Sequence, residues 1–365
     1  MRPLIWLLSA YRSDSHAYWV DGLVRRHRNF DWQRFELPGR HFAWRIRSNP
    51  LSWLDRMERR LHGSSPDLIV ATSMVDLATL KGLLPQIAGV PSLLYFHENQ
   101  LAYPVIPGQV QSIEPCMVQI YAALAADRLA FNSDFNRDSF MDGIDRLARR
   151  LPDGMPENLS QRLRPKSEVL PVAVERVCPD RRGASAGPRT EAPLILWNHR
   201  WEHDKRPDRF ARAMVELDQE GLAFRLALLG PRGRTPHPAH EELCQALDHR
   251  IAVDGYLPRR DYEDWLRRAD WVVSTAEHEF QGISLIEAVS AGASPIVPDR
   301  LCYPEQYPES CRYDPASDRA LLQALRSALK NEERRAPAID DWLAPALVER
   351  WAELLLSSLQ GSNSD

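Results

Sequence analysis

Ala269-Asp270-Trp271-Val272-Val273-Ser274-Thr275-Ala276-Glu277-His278-Glu279-Phe280-Gln281-Gly282, continuing from Ile283 to Gly292, is the stretch on which the reading of this chain turns. Trp271-Val272-Val273 is short, β-branched and aromatic, as a buried strand should be. Gly282 is the pivot that follows. Ile283, Ile286, Glu287 and Ser290 fall on helical spacing, Gly292 stops the helix, and Pro295-Ile296-Val297-Pro298 opens the next strand. Two carboxylates frame the turn. Glu279 precedes a helix start whose free N–H groups and dipole favour an anion. Glu287 lies a turn and a half inside the helix.

The same alternation extends outward in both directions. Toward the N-terminus, Leu194–Trp197, Phe224–Gly230 and Ile251–Val253 read as strands, with helices from Pro207 to Leu217, Glu241 to Leu247 and Tyr262 to Arg268. Residues 178–193 break the pattern. They are rich in Pro and Gly, have no apolar period, and read as an interdomain linker. Before them lies a first α/β run. Its strands are Leu4–Leu8, Asp67–Thr72, Pro91–Phe96, Arg128–Phe131 and Val169–Val172. Helices are expected from Leu51 to Leu61 and from Val75 to Leu84, and another ends over Ala122–Asp127. Ser9 to His16 reads as a loop. Leu347, Val348, Trp351, Leu354 and Leu355 give a terminal helix over Ala344–Leu359. The expected organisation is a Rossmann-like domain over 1–177, the linker 178–193, a second Rossmann-like domain over 194–343, and a helix and tail over 344–365.

With 365 residues the chain is long enough for two full cores. The 44% hydrophobic and 26% charged fractions are those of a globular protein. No apolar run approaches the ~20 residues of a membrane helix, and Leu4–Leu8 reads as a strand rather than a secretory signal. Five cysteines without a Cys-x-x-Cys pair argue against a disulfide framework or a zinc site and for a reducing cytoplasm. A net charge of −4 argues against non-specific polyanion binding. Any nucleic acid must be held by a local basic patch.

One such patch is Leu37 to Arg47, where Arg40, Arg45 and Arg47 interleave with Phe42 and Trp44. It suits phosphate clamping and base stacking, and equally a solvated loop anchored by Trp44. A second group is Asn198-His199-Arg200-Trp201-Glu202-His203-Asp204-Lys205. Arg200 and Lys205 in a loop entering a helix can neutralise a diphosphate, stabilising the charge that develops on it as a leaving group. The rival is a metal site on His199 and His203, at i, i+4 but lacking a clear third ligand. His97-Glu98-Asn99-Gln100 ends a strand where such sheets present catalytic groups. Asn132 or Ser133 reads as a helix cap. His16, in the loop after the first strand, either faces the ligand crevice or plays a capping part.

A glutamate, seven residues and a second glutamate around a Gly-headed helix resembles the donor motif of retaining GT-B glycosyltransferases, with Glu279-Phe280-Gln281-Gly282 where common members carry Glu-Pro-Phe-Gly. Five segments make the resemblance narrower: Phe96 to Pro104, Phe131 to Asn136, Arg164-Pro165-Lys166, Trp197 to Lys205 and His278 to Gly282. In this order they resemble the tRNA-queuosine α-mannosyltransferase family. The similarity runs from Leu4 to about Tyr307. Leu37 to Arg47 also resembles the family's basic aromatic segment, whereas Ser13-Asp14-Ser15-His16 keeps only the family's Ser-His and lacks its preceding glycines.

The resemblance implies two Rossmann-like domains facing a cleft, with a terminal helix crossing back to the first. It implies transfer of mannose from GDP-mannose to a cyclopentene hydroxyl of queuosine at the tRNA wobble position, with no cofactor and no metal. Glu287 would hold the ribose of the donor, Glu279 would face its sugar, and Arg200 and Lys205 would clamp the diphosphate. Phe280, Gln281, Gly282 and Ile283 complete the donor side. His97 would act in catalysis. Ser15, His16, Arg40, Trp44, Arg45, Arg47, Glu98, Asn99, Gln100, Asn132 and Ser133 are the acceptor-side candidates. The expected partners are GDP-mannose and queuosine-containing tRNA, with no membrane. The open alternatives are a lipid or small-molecule acceptor, and a catalytically silent RNA-binding module.

Overall fold

The computed structural model describes residues 2–104, 112–151, 154, 156, 158–177, 191–233, 235–330 and 336–360. They form two compact units. One holds Met1–Ala173 with Pro345–Asp365, and the other holds Val174–Ala344.

Six parallel strands make the sheet of the first unit: β1 (Leu4–Arg12), β2 (Asp31–Pro38), β3 (Leu68–Thr72), β4 (Ser92–Phe96), β5 (Arg128–Phe131) and β6 (Ser167–Val169). Their order is β2-β1-β3-β4-β5-β6. Helices cover both faces of such a sheet. β3 and β4 are therefore buried along their whole length and read as near-continuous apolar runs. β2 escapes that reading because it is an edge strand in which Phe35 alone is fully buried. β1 reaches past Leu8 to Arg12, where Asp21 and Glu36 hold the Arg12 guanidinium. The expected loop Ser9–His16 thus shrinks to a turn at Ser13, and a helix follows over Asp14–Arg26. β6 ends at Val169 rather than running over 169–172.

The basic stretch 37–47 is not a loop either. Leu37 and Pro38 end β2, and Phe42 begins a helix over Phe42–Leu61. Between them the chain turns tightly. A Cβ on Gly39 would lie 2.7 Å from the Arg12 carbonyl oxygen, and His41 takes a left-handed φ of 57°. Pro50 argues for a helix start at Leu51, since proline lacks the N–H that the Ile46 carbonyl needs. Asn49 replaces that donor. Its Nδ2 reaches the Ile46 oxygen at 3.2 Å, and its Oδ1 accepts from the Asp76 backbone N–H at 3.1 Å.

The second unit is also a six-stranded parallel sheet: β7 (Leu194–Trp197), β8 (Arg225–Leu228), β9 (Ile251–Asp254), β10 (Trp271–Val273), β11 (Ser294–Pro298) and β12 (Arg312–Tyr313). The order β12-β11-β10-β7-β8-β9 is that of a dinucleotide-binding fold. β12 and a helix over Asp318–Lys330 extend it past the expected elements. Strand order reverses between β7 and β10, and ligands of open α/β sheets bind at the carboxyl ends of the strands at such a point. In the first unit the reversal falls between β1 and β3.

The helix Ala344–Leu359 packs on the first unit, where buried Trp351 donates from Nε1 to the Pro171 carbonyl at 3.0 Å. Val174 forms a bridge to Leu343, and both lie in the second compact unit. The expected linker 178–193 lies, over 178–190, outside the described residues. Among the described residues no helix is long and apolar enough to cross a membrane.

Candidate active site

β7 and β10 are neighbours, and each opens at its carboxyl end into one of the segments singled out in the sequence. Asn198 to Lys205 follows β7, and Ser274 to Gly282 follows β10. The two loops are stitched together. Glu277 N–H donates to the Asp204 carbonyl at 2.8 Å, and Thr275 Oγ1 donates to the carbonyls of Lys205 and Arg206 at 2.8 and 2.9 Å. The loop after β8 is just as close, since a Cβ on Gly230 would fall 1.6 Å from the His199 carbonyl oxygen.

Lys205 is the centre of this arrangement, and it is buried. Its ammonium donates to the His278 carbonyl at 2.5 Å and to Glu279 Oε2 at 3.2 Å, and lies 3.1 Å from Asp204 Oδ2. Burial alone would raise the Glu279 carboxyl, but the Lys205 charge and hydrogen bond, with His199 and His278, together outweigh it and hold the group at about 2. Burial opposes the Lys205 ammonium too, yet Glu279 and Asp204 keep it above its ordinary value. Half-exposed Arg200 lies 3.2 Å from Glu202. The expected clamp therefore divides into a buried, charge-balanced lysine and an outer arginine. Burial lowers His199 and His278 to about 4, with the Lys205 charge adding to it, so both are neutral at pH 7.

Gly282 heads the helix Ile283–Ser290 with φ of 69° and ψ of 52°, a conformation that favours glycine. Leu285 and Ile286 N–H donate to the Gly282 carbonyl at 3.0 and 3.1 Å, which leaves the Ile283 and Ser284 N–H groups without an acceptor within the helix. Buried Phe280 packs edge-on against the His278 ring at 4.6 Å, and the buried Gln281 presents its carbonyl to Gln306 Nε2 at 2.6 Å. One turn on, Glu287 is buried and accepts from Arg259 Nη1 at 2.6 Å and from the Tyr262 hydroxyl at 3.4 Å. Burial raises its carboxyl, and Arg259 pulls the other way. Asn198 Nδ2 bridges the Tyr262 hydroxyl at 3.1 Å and the Ser284 carbonyl at 2.9 Å. Sequence reasoning quoted Asn198 without a role of its own and missed Arg259 and Tyr262 as parts of this site, for their contacts join it only through the sheet order.

In the first unit, His97 follows β4 and His16 lies in the first turn of the helix after β1. Their rings are 4.3 Å apart. Both are buried, with Nε2 atoms that have no hydrogen-bond partner among the described residues. His16 Nδ1 meets Ser13 Oγ at 2.7 Å. Trp19 and Tyr95 stack on each other at 4.8 Å and present their edges to His97. Burial lowers His16 to about 4 and His97 well below its ordinary value.

Other acceptor-side candidates serve the loop itself. Asn132 Nδ2 donates to the His97 carbonyl at 2.9 Å, and Ser133 Oγ caps its helix by accepting from Asn136 N–H at 3.0 Å. Asn99 binds Asn136 and Ser139 through Nδ2 and the Ala102 N–H through Oδ1. These buried polar atoms hold His97 in place. Glu98 and Gln100 are half-buried, and Ser15 is exposed, 3.3 Å from Ser13.

On the basic turn, Trp44 is 66% exposed and Arg40 is exposed. Arg45 is half-buried. Arg47 is committed to Asp76 at 2.6 Å and Glu114 at 3.1 Å, so it is not the loose phosphate contact its sequence position implies. The structure thus gathers Lys205, Glu279, Gly282 and Glu287 about the start of one helix, and His16 with His97 in the other unit. It leaves Arg40 and Trp44 on the surface. Among the described residues, the group with the reach to hold a metal ion is His240, Cys244 and Asp254, which includes neither His199 nor His203.

Two parallel α/β units, the second with a lysine–glutamate constellation at a Gly-headed helix on its strand-order reversal, define a GT-B glycosyltransferase. The solved structures agree on the fold. Sucrose-phosphate synthase from Thermosynechococcus elongatus aligns with a TM-score of 0.66 at 16% identity, over 98% of this chain and 95% of its own. A lipopolysaccharide outer core galactosyltransferase aligns with a TM-score of 0.63 at 13% identity, over 97% and 99%. Residues 4–174 match the family model of the tRNA-queuosine alpha-mannosyltransferase N-terminal region, and 182–340 match that of glycosyl transferases group 1. The tRNA-queuosine alpha-mannosyltransferase of Drosophila melanogaster is 31% identical over 320 residues, 86% of this chain and 84% of its own. The chain belongs to the tRNA-queuosine alpha-mannosyltransferase family and is a glycosyltransferase.

Proposed function

We propose that the chain transfers mannose from GDP-mannose to the cyclopentene hydroxyl of queuosine in tRNA, with retention at the sugar. The observation that carries the reading is that Trp201 to Lys205 and His278 to Gly282 meet around one buried ammonium. Trp201 to Lys205 is, with Phe96 to Gln100, one of the two runs most specific to the family resemblance, and His278 to Gly282 carries the general donor motif. In the proposed reaction the bond from the mannose anomeric carbon to the diphosphate oxygen breaks. The bond to the acceptor oxygen forms on the same face. The acceptor proton passes to the departing phosphate oxygen, and GDP leaves.

Negative charge grows on the diphosphate as its bond to the sugar breaks. Arg200, Lys205 and the N–H groups after Gly282 stabilise that charge more than the ground state. Glu287 binds the ribose hydroxyls, Glu279 accepts from the sugar hydroxyls, and neutral His97 donates to or accepts from the sugar or the acceptor. The diphosphate chemistry runs on these cations without a bound metal, and the reaction belongs to the cytoplasm, where tRNA resides. Arg40, Arg45 and Trp44 contribute to holding the tRNA.

The test is purified protein with GDP-mannose and tRNA, followed by mass analysis of the tRNA nucleosides. A hexose added to queuosine, and absent when the tRNA lacks queuosine, is the expected result. Turnover on a lipid or small metabolite but not on tRNA would transfer the chemistry to another acceptor. Nucleotide-sugar binding without turnover on any acceptor would reduce the chain to a binding module.

A further inference from the structure

The second unit carries a compact group of chemically reactive side chains that the donor site does not use. His240 and Cys244 stand at i, i+4 on the helix Pro238–Leu247, and Asp254 ends β9 beside them. His240 Nε2 lies 3.0 Å from Asp254 Oδ2, Cys244 Sγ lies 3.6 Å from His240 Nε2, and Sγ lies 3.9 Å from Oδ2. These are three different donor types around one point, all within 4.8 Å of one another.

A tetrahedral zinc ion takes nitrogen and oxygen at ~2.0–2.2 Å and sulfur at ~2.3 Å, which places N and O about 3.4 Å apart and each about 3.6 Å from S. Every edge of the triangle lies within about 0.4 Å of those values. The outer contacts agree as well. Asp254 Oδ1 is held by Arg232 and also lies 3.1 Å from His240 Nε2, while Oδ2 faces both the histidine and the thiol. A ligating carboxylate commonly keeps such a hydrogen-bonded partner on its other oxygen. The His240 ring is itself fixed by the edge-on Trp201 at 4.6 Å.

We propose that His240 Nε2, Cys244 Sγ and Asp254 Oδ2 bind a zinc ion, with water as the fourth ligand. Thiolate, imidazole and carboxylate together suit zinc, whereas magnesium and calcium call for oxygen ligands throughout. Binding releases the Cys244 thiol proton to solvent. The ion ties the edge strand β9 to the neighbouring helix and sets the histidine under Trp201, the residue next to Arg200. The site is separate from the diphosphate chemistry and rests on none of it.

Metal-stripped full-length protein is titrated with zinc(II) by calorimetry and with cobalt(II) by absorbance. One zinc equivalent binds, and cobalt gives a thiolate-to-metal charge-transfer band with the intense visible bands of a tetrahedral site. Cys244→Ser abolishes the charge-transfer band, and Asp254→Asn weakens zinc at least about tenfold. Both retain the circular dichroism of the parent. Zinc raises the melting temperature of the parent but not of Cys244→Ser. Three results overturn the proposal: no stoichiometric zinc binding, a charge-transfer band that survives Cys244→Ser, or parental zinc affinity in both variants.

Discussion

Replacing Lys205 by methionine removes the charge that keeps a buried Glu279 ionised. The carboxyl sits at about 2 in place of its ordinary 4.5, and a displacement of that size corresponds to about 3 kcal/mol. Because the folded value is the lower one, this stabilisation is complete above about pH 4.5 and disappears as pH falls toward 2. Taking one partner from a buried ion pair costs ~3–5 kcal/mol by the general rule. At pH 7, Lys205→Met therefore unfolds about 3 kcal/mol more easily than the parent. It does so although Lys205 lies on a short loop turn, where a substitution would ordinarily be mild. Glu279→Gln in the same molecule removes the stranded carboxylate and recovers part of the loss. Asp204 still lacks its cation, so recovery is incomplete. The interaction energy in the denaturant cycle of the four proteins is about 2 kcal/mol. Transfer activity moves differently. Each variant turns over at least about a hundredfold more slowly, and the double variant is not rescued, because the diphosphate still loses its ammonium. Additive single effects, within about 0.5 kcal/mol, would refute the account of the pair.

Glu287→Gln should weaken GDP binding about tenfold in calorimetry and raise donor KM, since it removes a charged acceptor from the ribose; unchanged affinity would place the ribose elsewhere. Trp44→Ala should cost ~1–3 kcal/mol of tRNA affinity with little change in salt slope. Arg40→Ala with Arg45→Ala should flatten that slope and leave nucleotide-sugar binding intact, and parental behaviour over a range of salt would return the turn to bare surface. His16, His199 and His278 titrate near 4 when folded and near 6.5 when unfolded. The unfolded chain therefore takes up protons first, and stability should fall as pH drops from about 6.5 to about 4. A melting temperature constant across that window would contradict the burial of these rings.

Legibility in the sequence followed burial. Arg128–Phe131, Leu194–Trp197 and Trp271–Val273 were readable because a buried parallel strand is an apolar run between breakers. β2 was not, because its charged residues pair laterally with Arg12 and Asp21 and leave no pattern along the chain. Glu279, Gly282 and Glu287 were legible since they share one turn and one helix. The burial of Lys205 was hidden, because its partner Glu279 is 74 residues away and only the adjacency of β7 and β10 brings them together. The contacts of Asn198, Arg259 and Tyr262 were illegible for the same reason. The ion pair of Arg47 was hidden because an arginine in a basic run gives no sign of Asp76 beneath it.

Asn49 and Pro50 have a mechanical meaning. The residues that begin the helix Phe42–Leu61 do not hang on a pliant arm. Asn49 bolts that helix to the Asp76 backbone, and Arg47 does so again through the Asp76 carboxylate. An RNA strand meeting Trp44 thus meets a stiff lever, already in its final shape. Little ordering entropy remains to be lost on contact, and the heat-capacity change of association should be that of surface burial alone, without the excess that a folding segment adds. Under the proposed function, such a face would select among RNAs by rejecting those that cannot conform to it, rather than by moulding itself to each.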